Sequence, residues 1–113
     1  MLGRNYRFHG HNSLNAAYRN GATVRGPQLT LKIASRDPSK PYRVAVVVSR
    51  KVSKSAVQRN RIRRRIYEIV RRHEDLVSSG QDLIFTAFGD HLATIEAPKL
   101  EAIIVQLLTR SPK

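Results

Sequence analysis

The spacing of apolar and polar positions changes several times along the chain, and each change marks an element. Across residues 28–34, Leu29, Leu31 and Ile33 alternate with Thr30 and Lys32, the two-residue period of a half-buried strand. Before it, Thr23 to Gly26 predicts a short edge strand. Tyr42 to Ser49 contains VAVVV, apolar on both faces, and so predicts a strand central in a sheet. The turn between these strands, residues 36–41, carries two prolines and no apolar residue. A helical period then takes over: Ile62, Ile66, Ile69, Val70 and His73 share one stripe, while Asn60, Arg64, Tyr67 and Arg71 point the other way. Ser53 or Ser55 can cap that helix. Ser78, Ser79 and Gly80 close the unit, and Asp82 to Ala87 (DLIFTA) predicts another buried strand.

The two ends of the chain read as helix. Asn12 or Ser13 can cap a short helix through Asn20, with Leu14, Ala17 and Tyr18 at helical spacing and Gly21 ending it. Residues 1–10 have no apolar period and predict an extended arm. Thr94 can cap a last helix with Pro98 in its first turn and Leu100, Ile103, Ile104, Leu107 and Leu108 on its apolar face. A single domain over residues 1–113 accommodates all of these elements.

Charge changes this picture most. The chain carries a formal net charge of +13, and fifteen of its twenty-one basic residues are arginine. Between Arg43 and Arg72 stand eleven Lys or Arg and one acid, Glu68, whereas residues 73–109 hold six acids against one Lys. Such density on an element that must also pack calls for a polyanion partner. Arginine, with its planar fork, favours nucleic acid over an anionic membrane surface. The chain has no cysteine, which removes thiol and zinc-thiolate chemistry and suits a cytoplasmic location. No apolar run reaches the roughly 20 residues of a membrane span, and MLGRNYRFHGHN has no apolar segment of a secretory signal.

Around Ile62 and Ile66, Arg61 and Arg65 flank one side of the apolar stripe and Arg59 and Arg63 the other. Their stems can lie along the packed edge while the guanidinium groups reach outward. Asn60 on the exposed side can meet a base edge or a ribose hydroxyl. This describes a surface for a folded polyanion, not a small-molecule pocket.

The stretch SRKVSKSAVQRNRIRRRIYE resembles the signature of the bacterial ribonuclease P protein subunit, in which a strand ending in Ser-Lys/Arg-Lys leads into a helix bearing Arg-Asn-Arg. Ser49, Arg50 and Lys51, then Arg59, Asn60, Arg61, Ile62, Arg63 and Arg64, stand in that order and spacing. Arg7-Phe8, the short helix with Tyr18 before Gly21, and DLIFTA before a final amphipathic helix extend the likeness over nearly the whole chain.

The resemblance implies an α+β sandwich in the order α-β-β-β-α-β-α, a small mixed four-stranded sheet with three helices. Its third and fourth strands would be parallel and joined by the arginine helix. It also implies a left-handed crossover, against the right-handed form that about 98% of such connections take. The implied function is to assist a catalytic RNA, with its magnesium ions, in removing the 5′ leader of precursor transfer RNA. By matching positions, Arg59, Asn60, Arg61, Arg63 and Arg64 would contact the catalytic RNA. Tyr18, Lys32, Ser49, Arg50 and Lys51 would line a leader cleft, since a leader of varying sequence still offers phosphates and stacking bases. The chain departs from the family at three places. Leu14 stands where a second aromatic is common, Lys32 where an aromatic can occur, and Phe88 where arginine is frequent, so stacking can relocate onto Phe88.

No catalytic constellation is legible in the protein itself. His9 and His11 fall in the arm, His73 on a helix and His91 in a loop, none with a neighbour that orients it as a base; Asp82 and Asp90 flank a strand. Chemistry is therefore expected of the RNA and its ions, in a complex of one protein with one RNA, without membrane or small-molecule substrate. A structural, ribosomal-type RNA-binding protein is the main competing reading. An autonomous nuclease and a major-groove DNA binder are weaker ones, the latter lacking any helix-turn-helix or zipper pattern.

Overall fold

The computed structural model describes residues 22–35, 39 and 41–110. The expected arm, the helix over residues 13–20, and with them Leu14, Tyr18, His9 and His11, lie outside these residues. Within them the order is β1 (Ala22–Gly26), β2 (Leu29–Ser35), β3 (Arg43–Val48), α1 (Ala56–Arg72), β4 (Gln81–Ala87) and α2 (Ala97–Arg110). Single 3-10 turns at Glu74–Leu76 and Asp90–Ala93 flank β4.

The strands form one mixed sheet in the order β1-β2-β4-β3. β1 to β2 and β2 to β4 are antiparallel, and β3 to β4 is parallel, with α1 in the connection, as expected. Alternation puts Val24, Leu31, Phe85 and Val46 in one row across all four strands, flanked by Leu29, Ala87 and Val48 and by Ile33, Leu83 and Val44. These pack with Ile62, Ile66, Ile69 and Val70 of α1 and Leu100, Ile104, Leu107 and Leu108 of α2 in one core. Both described helices thus cover the same face of the sheet. The opposite face has a smaller cluster, Ala45 and Ile84 with Ala34 and Val47 against them. β4 is buried on both faces, which is why DLIFTA shows no alternation.

Local chemistry explains the joints. Ser55 is the N-cap of α1, its hydroxyl accepting the Gln58 N–H at 3.3 Å, and Ser53 Oγ accepts the Ser55 N–H at 3.2 Å, so both candidate caps take part. The β1–β2 turn uses Pro27 followed by Gln28 at φ 61°, a left-handed conformation more usual for glycine. At Gly26 a β-carbon would lie 3.1 Å from Leu107 Cδ2 and 3.3 Å from the Leu29 carbonyl oxygen, so the missing side chain lets α2 approach the hairpin.

Two expectations need correction. Tyr67, assigned by the wheel to the outer face of the helix, is buried in the core with 9% of its surface exposed. It sits on the flank of the stripe, and a ring on a long stem reaches the core from there. Thr94 does not cap α2. Its hydroxyl donates back to the His91 carbonyl at 3.4 Å, and the Glu96 carbonyl accepts the Lys99 and Leu100 N–H groups that open the helix.

Candidate nucleic-acid interface

α1 carries the sequence's arginines on two sides, because its buried stripe divides them. On one side, Arg59 Nη1 donates to the Ser53 carbonyl at 2.9 Å, which holds the arginine beside the link that leaves β3. Arg50, Lys51, Lys54 and Arg59 together line an open groove of about 540 Å³. Arg50, Lys51 and Lys54 are exposed and make no ion pair among the described residues, so four cations converge with no carboxylate lining the groove. Arg63 Nη1 donates to Asn60 Oδ1 at 2.8 Å, which orients the amide with its NH2 free to donate.

On the other side, Arg61, Arg64, Arg65 and Arg72 line a second open groove of about 500 Å³, with Glu68, Ile69, Thr94, Ile95 and Ala97. Arg65 is committed inward: Nη1 donates to the Leu92 carbonyl at 2.8 Å and Nη2 to the Ile95 carbonyl. Desolvation, then the nearby Arg61 charge, lower its pKa from the ordinary arginine value. Arg61 and Arg64 are exposed, with no hydrogen bond or ion pair among the described residues. Arg72 reaches Glu101 at 3.6 Å, and Arg71 reaches Glu68 at 4.0 Å. The grooves therefore cut across the expected assignment. Arg59, grouped by sequence with Arg61 and Arg64, lies with Arg50 and Lys51. Lys54 and Arg72, outside the expected set, join the two grooves; both stand in the same basic run, whose charge is the signal that points to them.

The remaining expected residues gather at or near one end of the sheet. Val48 is opposite Ala87, so Ser49 and Phe88 emerge side by side where the parallel strands end, a usual place for ligands in open sheets. Phe88 is 59% exposed, and its N–H donates to the Gln28 carbonyl at 2.9 Å. Lys32 lies two rows further in, opposite Ile84, on the face away from the helices. The far end of the sheet is different: the Tyr42 hydroxyl donates to Glu74 at 2.7 Å, and Arg43 forks onto Asp82 at 2.9 and 2.8 Å. That hydrogen bonding raises the Arg43 pKa against the opposing effect of burial. His73, half-buried at the end of α1, meets Glu101 at 3.0 Å and has no nucleophile beside it. Among the described residues no three His, Asp or Glu side chains are grouped to hold a metal ion.

A family model, Ribonuclease P, matches residues 2–111. The chain belongs to the ribonuclease P protein family. Relatives named ribonuclease P protein component include one from Synechococcus sp., 34% identical over 98% of this chain and 85% of its own length. Another, from Roseiflexus castenholzii, is 33% identical over 96% of this chain and 87% of its own length. The match to a Prochlorococcus marinus relative, 36% identical, takes in 59% of this chain and about three-fifths, 61%, of that protein. In fold the chain is similar to the RNase P protein from Thermotoga maritima, with a TM-score of 0.82 at 19% identity over 95% of this chain and 98% of that one. It is also similar to the Staphylococcus aureus RNase P protein, with a TM-score of 0.77 at 22% identity over 91% and 92% of the two chains. The ribonuclease P resemblance carried by Ser49 to Arg64 is thereby borne out, as is the α+β class with a mixed four-stranded sheet.

Proposed function

We propose that this chain is the protein subunit of ribonuclease P, binding the catalytic RNA and the 5′ leader of precursor transfer RNA while the RNA subunit cuts the leader away. The observation that carries this reading is the convergence of Arg50, Lys51, Lys54 and Arg59 in one groove just past the end of β3, with the exposed Phe88 just past the end of the neighbouring β4. Cations without acids hold phosphates of any sequence, and an exposed ring takes any base on its face. In this reading Arg59, Asn60, Arg61, Arg63 and Arg64 hold the catalytic RNA, with Arg72 beside them. Ser49, Arg50, Lys51, Lys32, Phe88 and Tyr18 hold the leader, and Arg59 stands between the two partners.

The protein has a positioning role. Its arginines fix the two RNAs relative to each other and offset phosphate repulsion, and magnesium is assigned to the RNA subunit and substrate. In this reading the subunit works as one domain in the cytoplasm, with a left-handed β3-α1-β4 crossover.

The test is cleavage of a leader-bearing precursor at low magnesium by catalytic RNA alone, by protein alone, and by both. Cleavage that requires both is the expected result. Cleavage by the protein alone would make it an autonomous nuclease. RNA activity unchanged by the protein would point to ribosomal RNA as the partner instead.

A further inference from the structure

The two grooves beside α1 differ in kind. The one near its start is lined by Arg50, Lys51, Lys54 and Arg59 and nothing else, a site for phosphate alone. The other runs along α1 from Arg61 to Arg72, about three turns of helix, and its lining is mixed. Arg61 and Arg64 stand at one end, exposed and without a hydrogen bond or ion pair among the described residues. Arg72, paired with Glu101, stands at the other. Between them the wall carries a carboxylate, Glu68, and an apolar floor made by the buried Ile69 and the half-buried Ile95, with Ala97 at the rim. A carboxylate repels phosphate and isoleucine gives it no donor, so the middle of this groove suits a base and not a backbone. The groove is also preformed. Arg65 reaches from α1 to the Leu92 and Ile95 carbonyls of the facing wall, which fixes the distance between the two walls before anything binds. Its volume of about 500 Å³ gives room for a group of nucleotide size.

We infer that this groove takes one unstacked guanosine of the catalytic RNA, its base on the floor of Ile69 and Ile95, its Watson–Crick edge on Glu68 and its phosphates at Arg61 and Arg64. The inference rests on the catalytic-RNA reading above and adds a base identity to what the arginines alone would hold. Guanine is selected because its N1–H and its N2 amino group lie side by side and donate in parallel, which matches the two oxygens of a carboxylate. Adenine and cytosine offer one amino group beside an acceptor, and uracil one N–H between two carbonyls, so each sets a lone pair against the carboxylate. An ionised carboxylate has about four acceptor positions, more than the ion pair of Glu68 with Arg71 at 4.0 Å takes up. Proteins read RNA sequence mostly from bases that have left the helix, through their flat faces and through hydrogen bonds to these edges. The arginines thus fix where the RNA lies, and Glu68 fixes which nucleotide enters.

The experiment uses this chain and the catalytic RNA. The RNA is transcribed with inosine scattered at guanosine positions, so that each molecule lacks an N2 amino group at one place, and molecules that bind the protein are separated from those that do not. With wild-type protein, inosine at one unpaired guanosine is expected to weaken binding about 3- to 10-fold. Glu68→Gln loses a similar factor with unmodified RNA and no longer distinguishes guanosine from inosine at that position. Ala97→Leu, which fills the groove from the facing wall without touching its charge, erases the same position-specific effect. The inosine effect in wild-type protein needs no variant to fold. A map in which no guanosine responds, or in which the response is the same with Glu68→Gln, overturns the base site and leaves the catalytic-RNA reading intact. Free GMP binding to the protein alone with a Kd below about 10 μM, abolished by Glu68→Gln, would make a mononucleotide the occupant and overturn the assignment to the RNA. Failure of the wild-type protein to bind the catalytic RNA at all overturns the underlying reading, and the base site with it.

Discussion

Arg65 shows how one side chain can leave an interface for the fold. It emerges among exposed arginines, yet its guanidinium is the donor for the Leu92 and Ile95 carbonyls, and so fastens the turn between β4 and α2 to α1. Arg65→Met keeps the stem and removes the donors, leaving two carbonyls short of a partner. We expect a loss of about 1–3 kcal/mol in denaturant unfolding, with faster amide exchange confined to residues 90–96. Unchanged exchange there would show that the turn holds itself. Asp82 performs a comparable task at the other end of the sheet, where Arg43 forks onto it across the parallel pair. Asp82→Asn keeps one acceptor and cancels the charge, at a cost of about 1.5–3 kcal/mol by the same measurement. Because Arg43 has a raised folded-state pKa, its share of stability is complete below the unfolded arginine value. It is lost only as pH rises through the folded value, so the pair does not weaken as pH rises through neutrality.

At the level of elements, α1 depends on its start. Ser53, Ser55, Gln58 and Arg59 form one hydrogen-bonded cap that both opens the helix and sets Arg59 against the link. Ser55→Ala is expected to cost about 1 kcal/mol in thermal or denaturant unfolding; an unchanged midpoint would mean that Ser53 substitutes for it. Both serines were legible in the sequence, as were all four strands and both described helices: β2 and the helices by their periods, β3 and β4 as short apolar runs bounded by turn residues. The Tyr67 error comes from the wheel itself. A helical wheel treats side chains as points, so it sent Tyr67 outward although its ring reaches the core from the flank. The same wheel did separate Arg59 and Arg63 from Arg61 and Arg65, but only the packing of the 90–96 turn against one flank turned that separation into two grooves. The Arg43–Asp82 fork joins residues far apart in sequence, and strand alternation alone carries no register between strands.

The whole molecule is best described along the axis of α1. Near its start stand Arg50, Lys51, Lys54 and Arg59, and its first turn holds no acid. Just past its end come Glu74 and Asp75, with Glu101 paired to Arg72 and His73 beside them. Replacing Arg50, Lys51 and Lys54 together with alanine is expected to reduce the log–log salt slope of precursor binding by about 2, since each single-strand phosphate contact contributes about 0.7. A slope that stays the same between about 50 and 200 mM salt would place these cations outside the contact. The uneven ends have a kinetic side as well. Peptide units of a helix add their own positive pole at its start, so here backbone and side-chain charge point the same way. The molecule behaves as a bar magnet does in a field: on nearing a polyanion it is turned before it touches, and it arrives with the end of the parallel strands leading.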